Sequence, residues 1–123
     1  MKFSASAKRT FWWPVTVQSP DPDNPGKQKS ETFKMLFEAI LQDEALALDE
    51  EASKAVTEKA RVDNERRRLI RVCLDWDDVF DEAGKVVLFD EVFDVFIQFP
   101  WNRLAIYRAY AEATSGESAR LGN

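Results

Sequence analysis

Apolar and polar residues alternate strictly near the start of the chain. Phe11, Trp13, Val15 and Val17 fall on one face, and Trp12, Pro14, Thr16 and Gln18 on the other. Period two with β-branched and aromatic side chains is the pattern of a strand with one buried face. Proline cannot donate to a ladder, so Pro14 predicts an edge strand or a bulge. Residues 19–27, SPDPDNPGK, hold three prolines, two aspartates, an asparagine and a glycine, and read as a loop. A second alternation follows, with Phe33, Met35 and Phe37 opposite Thr32 and Lys34. The two runs predict a β-hairpin over residues 11–37 with a long, stiff connection.

The period then changes. Residues 38–60 are rich in Ala, Glu, Leu and Lys, all good helix formers. Leu41, Ala45 and Leu48 give them a weak apolar stripe, and after Asp49 apolar content falls to alanines and Val56. Asp63 or Asn64 is the expected cap of a second helix. In it Leu69, Val72, Cys73 and Trp76 recur at i, i+3, i+4 and i+7, with Ile70 and Val79 flanking them. Residues 81–84, DEAG, signal a turn, and residues 85–89 a short extended piece. Asp90 reads as the cap of a third helix, with Val92, Val95, Phe96 and Phe99 as its stripe and Phe93 and Ile97 widening that stripe past half the circumference. Pro100 ends it and suits the first turn of a last helix, in which Leu104, Tyr107 and Ala111 share a side. The expected fold is α+β: an N-terminal antiparallel hairpin packed against a small C-terminal helical set, with one short extra extended segment. It forms a single domain over residues 11–113 (hairpin 11–37, helical part 38–113), between a flexible N-terminus, 1–10, and a flexible tail, 114–123.

Composition narrows the chemistry. The 123 residues carry a net charge of −5 and no histidine. Without histidine the usual general base, the usual metal ligand and Ser–His pairs all disappear together. A single cysteine, Cys73, forms no intrachain disulfide and no cysteine-rich zinc site, and reads as a small buried hydrophobe. No catalytic residue and no cofactor is expected. The acidic residues are bunched, with eight acids against three bases over 38–63 and seven against one over 77–99. That balance argues against a nucleic-acid binder, which needs clustered Lys and Arg. A basic knot, Arg66, Arg67, Arg68 and Arg71, lies between the two acidic stretches; its run Arg66–Arg68 fans around a helix and reads as a solvated face pairing with the acidic helix before it. The carboxylates Asp75, Asp77, Asp78, Asp81 and Glu82 invite a divalent cation, but Val79 and Phe80 stand where a calcium loop needs a ligand and a glycine. No metal ligand is assigned. With no apolar leader in residues 1–8 and no run of membrane-spanning length, the expected setting is the cytoplasm, with no membrane contact.

The surplus is aromatic. Rings crowd residues 89–101; covering the hairpin face explains most of them, and a helix more than half apolar on a small domain often keeps an exposed patch. Phe89, Phe93, Phe96, Phe99, Trp101 and Tyr107 are the candidate partner-binding residues, their partner being another protein or a second copy of this chain.

In the order FWWPVTVQSPDP, ETFKMLFEAI, LQDE, LDWDDV, DEAGKVVLFDEVF and FPWNRLAIYRAY, with a short tail ending Gly122–Asn123, the chain resembles the tail assembly chaperones of long-tailed bacteriophages. The resemblance runs from Phe11 to Asn123. It implies a protein of phage or prophage that binds the tape measure protein in the host cytoplasm and keeps this long helical polypeptide soluble. It would leave when tail-tube subunits polymerise, and so be missing from the mature virion. It also implies contact with the tail-tube protein where a frameshifted longer form exists, and no catalytic residues. Two other readings stay open on the residues alone: a different phage or bacterial adaptor, including an inhibitor offering acidic surface to a basic target, and a metal-dependent enzyme built on the carboxylates from Asp75 to Glu82.

Overall fold

A computed structural model describes residues 2–5 and 9–115. It has three strands and four helices: β1 (Thr10–Pro20), β2 (Gln28–Glu38), α1 (Gln42–Ser53), α2 (Glu58–Val72), β3 (Cys73–Asp77), α3 (Phe89–Phe96) and α4 (Pro100–Ser115). The strands form one antiparallel sheet in the order β1-β2-β3, which makes the fold α+β with an N-terminal hairpin. Flexible ends were expected at 1–10 and 114–123. Residues 1, 6–8 and 116–123 lie outside the described residues, whereas Thr10 opens β1 and Ser115 closes α4.

The hairpin follows its sequence pattern closely. Val15, Val17, Phe33, Met35 and Phe37 are buried, while Trp12, Pro14, Thr16, Thr32 and Lys34 are exposed. Its register is fixed at several points. The Thr16 and Thr32 hydroxyls meet at 3.0 Å, and Gln18 Nε2 donates to Ser30 Oγ at 3.1 Å. Ala39 N–H donates to the Arg9 carbonyl, and Asp21 N–H to the Lys27 carbonyl, each at 2.9 Å. Odd-numbered residues of β1 therefore turn their backbone groups toward β2, and even-numbered ones turn theirs to the open edge. Pro14 is even. Its missing N–H costs the ladder nothing and removes a donor from an edge that another chain would otherwise extend. The connecting loop bends at Gly26 (φ +83°), and the Asp21 carboxylate accepts Asp23 N–H and the Asn24 side-chain amide.

Two compact units divide the chain. The first comprises Met1–Phe11 and Leu36–Leu74, the second Trp12–Met35 and Asp75–Asn123. In the first, α1 lies along α2, and no residue of α1 is buried. Among the described residues, Phe37, Leu69, Val72 and Cys73 are the buried apolar residues of this unit, and charged pairs join α1 to α2. The Arg71 guanidinium grips Glu44 through Nε (2.6 Å) and a second nitrogen (3.0 Å), and reaches Glu38 at 3.2 Å. Such bidentate, partly sheltered pairs are the strong kind, and they hold the Arg71 charge above its ordinary pKa. Arg68 pairs with Asp49 at 2.7 Å and Arg67 approaches Glu51 at 4.0 Å, so these two arginines pair with the acidic helix before them, as expected.

Two helix boundaries differ from expectation. α2 begins at Glu58 instead of after Asp63 or Asn64, because Thr57 Oγ1 accepts Ala60 N–H at 3.0 Å; Asn64 sits buried within the helix. At its other end α2 stops at Val72, and the helix expected to run through Trp76 becomes β3. Asp75 and Asp77 each capture the next residue's N–H on their own carboxylate, at 2.8 and 2.9 Å. Those local bonds compete with helical ones. Asp78 then takes a left-handed conformation (φ +66°) that breaks off the strand.

In the second unit the core is a ring cluster. The buried Trp76 meets Phe89, Phe93 and Phe96 edge-on at centroid distances of 5.3, 6.1 and 5.0 Å, and Phe33 from the hairpin at 6.1 Å. Edge-to-face pairs add about 0.5–1.5 kcal/mol each beyond burial. Residues 79–87 form a small arm in which Val87 N–H donates to the Val79 carbonyl, Phe80 bridges Val86, and Gly84 (φ +79°) makes the turn. Of the extra extended segment expected at 85–89, residues 85–87 form one side of this arm, while Leu88 caps α3 and Phe89 begins it.

Candidate partner-docking site

α3 is short and apolar on two sides. Asp90 does not cap it. The N-cap is Leu88, with no side-chain hydrogen bond, while Asp90 and Glu91 occupy the first turn, where the helix dipole favours carboxylates. Its inward side is Phe89, Phe93, Phe96 and the following Ile97. The expected stripe of Val92, Val95, Phe96 and Phe99 is only partly right, because Val95 is 57% exposed and Phe99 46%, against 5% for Phe93. Leu88, also 57% exposed, stands on the same side as Val92 and Val95. A helix apolar around more than half its girth can put only one arc in the core; the other arc remains at the surface.

The corner after α3 is locked. Asn102, itself buried, donates from Nδ2 to the Phe96 carbonyl at 2.9 Å. Arg103 donates to the carbonyls of Ile97 and Gln98 at 2.9 and 3.0 Å. The carbonyls of the last residue of α3 and of the two residues after it are thereby satisfied by the first turn of α4, which Pro100 opens. Phe99 and Trp101 stack across this corner with centroids 5.3 Å apart. α4 turns Asn102, Ala105, Ile106 and Ala109 inward, and leaves Leu104, expected beside Tyr107 on one side, 58% exposed.

Beside the corner a cleft of about 610 Å³ opens within the second unit. Val17, Pro20, Phe33, Phe80, Phe96 and Trp101 supply its apolar walls, and Lys29, Glu31, Asp78 and Asp81 stand among its lining groups. Lys34 holds Asp78 at 3.5 Å and Lys29 meets Glu31 at 3.4 Å.

The structure separates the six candidate residues into four groups. Phe93 is core. Phe89 and Phe96 are half-buried against Trp76, and Phe96 also forms a cleft wall; Trp101 lines the cleft while Phe99 stacks on it from the exposed side. Tyr107 is half-buried on α4 and does not line the cleft. Sequence reasoning missed Leu88 and Leu104 as surface residues; the spacing of Leu88 to Val92 and Val95 was the available signal.

The carboxylates beside the arm are engaged locally. Asp75 and Asp77 bind backbone N–H groups, Asp78 pairs with Lys34, and Asp81 accepts from Ala83 and Lys85 N–H at 2.9 Å. Among the described residues no three acidic or thiol side chains are placed to hold a metal ion. Cys73 is buried, and desolvation pushes its thiol pKa far up, so it is a poor nucleophile. No helix of the described residues is long and apolar enough to cross a membrane. The chain matches no family model, no curated protein and no solved structure.

Proposed function

We propose that this chain is a tail assembly chaperone of the long-tailed phage kind, which holds apolar helical stretches of the tape measure protein until the tail tube is built around them. It works by binding, not by chemistry. The reading rests on the resemblance over residues 11–123 and on one observation: α3 and the residues flanking it present Leu88, Val95 and Phe99 to solvent while Phe93 and Ile97 fill the core. Exposed apolar groups on a rigid, hydrogen-bonded corner form a platform for the apolar face of another helix. The acidic remainder of the surface keeps a loaded complex soluble. Action in the host cytoplasm and departure before the virion is complete belong to the same proposal, as does any contact with the tail-tube protein.

Co-expression tests it. The tape measure protein of the same genome should be soluble with the wild-type chain and insoluble with a Val95→Glu, Phe99→Glu variant of unchanged melting temperature. Equal solubility with both, or aggregation with both, overturns the proposal.

A further inference from the structure

The cleft beside the corner has aromatic walls and an acidic lining. Phe33, Phe80, Phe96 and Trp101 line it, with Phe33 and Phe96 meeting edge-on at 5.5 Å. Its volume of about 610 Å³ falls within the range of clefts that enclose small ligands, about 300–1,000 Å³. Glu31, Asp78 and Asp81 stand among its lining groups against one cation, Lys29. Two of these carboxylates are weakly committed. The Glu31–Lys29 and Asp78–Lys34 pairs are long, 3.4 and 3.5 Å, and exposed at both ends, so another cation replaces either lysine at little cost. Asp81 is held differently. Its Oδ1 accepts both Ala83 and Lys85 N–H at 2.9 Å, which fixes the carboxylate, while Oδ2 has no partner among the described residues. The surroundings are acidic too: residues 75–115 carry nine carboxylates against three basic side chains.

We propose that this cleft is an arginine pocket, which takes an arginine side chain offered by a partner protein. Each part of the pocket suits one part of that side chain. A guanidinium is planar and weakly hydrated, so it lies against aromatic rings where a lysine ammonium would keep its water, and tryptophan is the strongest ring for such a contact. Asp81 Oδ2 and the Asp78 carboxylate accept its N–H groups, and charge strengthens those bonds. The methylene stem covers the apolar wall of Val17 and Pro20. Other occupants fit worse. An anion would face three carboxylates, and a purely apolar side chain would strip water from Asp81 without replacing its bond. The inference stands apart from the helix-holding function proposed above: it uses a surface other than Leu88, Val95 and Phe99, and it holds for a partner lying in any direction.

Short capped peptides make the test. They share flanking leucines and alanines and carry arginine, lysine or citrulline, the uncharged isostere of arginine, at the centre. Each is titrated into the intact, isotope-labelled chain while NMR follows the Trp101 indole and the Phe80 and Asp81 amides. The arginine peptide should shift these signals saturably and bind roughly tenfold tighter than the citrulline peptide, with lysine between them. Asp81→Asn keeps the acceptor for Ala83 and Lys85 N–H but removes the charge. It should weaken arginine binding roughly tenfold at unchanged melting temperature and leave citrulline binding as it was. Trp101→Leu should weaken the arginine peptide, and Glu112→Gln, on α4 away from the cleft, should not. Equal binding of arginine and citrulline, shifts confined to other residues, or no saturable shift overturns the inference. If the arginine peptide fails while the chain still solubilises the tape measure protein, the inference falls and the function stands. If it binds in the cleft while that protein aggregates, the function falls and the inference stands.

Discussion

Trp76 Nε1 donates a 2.8 Å hydrogen bond to the carbonyl oxygen of Val87, joining β3 to the base of the arm that bears Phe80. The same indole lies at the centre of the ring cluster, so one side chain fixes both the core and a wall of the cleft.

Trp76→Phe should therefore cost more than its lost volume. Removing the N–H leaves the Val87 carbonyl without its partner, and the smaller ring leaves a gap beside Phe89 and Phe96. A loss of about 2–4 kcal/mol in unfolding free energy is expected from the two effects together, measured by urea denaturation. A change below about 0.5 kcal/mol would show that the indole is not the keystone of this unit.

Phe93 and Val95 are two residues apart with opposite expected roles. Phe93→Ala should destabilise by about 3–5 kcal/mol, as truncation of a buried ring does. Val95→Ser should stay within about 1 kcal/mol in stability yet weaken partner binding. Paired melting curves and binding titrations separate the two. Equal destabilisation would place Val95 in the core.

The Asn24 amide and the Asp23 N–H, in that order of effect, hold the Asp21 carboxyl below its ordinary pKa. A carboxyl depressed by folding stabilises the folded loop above its unfolded pKa, and that contribution disappears as pH falls through the lower folded value. Asn24→Ala should raise the Asp21 pKa toward the ordinary value, as read from NMR titration of the side-chain carboxyl. The fold should otherwise be unchanged, since this carboxyl is at the surface. An unmoved pKa would mean that the amide does not stabilise the anion.

Pro14 faces the open side of β1. Pro14→Thr should leave stability within about 0.5 kcal/mol, because no ladder bond changes. It should, however, raise the concentration-dependent mass seen by sedimentation, since a new donor on the edge invites strand pairing between chains. A strictly monomeric variant would show the edge to be protected by other means.

The hairpin was fully legible because period two cannot be mistaken when both strands carry it: every odd residue from Val15 to Ser19 is buried, as are Phe33, Met35 and Phe37. The boundary between α2 and β3 was not. Cys73 and Trp76 are three apart, a helical spacing, and the chain leaves the helix through backbone bonds made by Asp75 and Asp77, which periodicity does not register. The proposed docking face was half legible. Residues 88–99 carry enough apolar side chains to cover two sides of one short helix, so the sequence announced a surplus but did not say which arc goes in. Trp76 makes that choice: its ring occupies the space against which Phe89, Phe93 and Phe96 close, and Leu88, Val95 and Phe99 remain outside.

Backbone amide shifts of the labelled chain, recorded while a helical segment of the proposed partner, a tape measure protein, is added, test the proposed docking face most directly. The expected result is saturable perturbation concentrated at residues 88–104, with α1 and α2 unmoved. Perturbation confined to α1 and α2, or none at saturating concentration, would contradict the account.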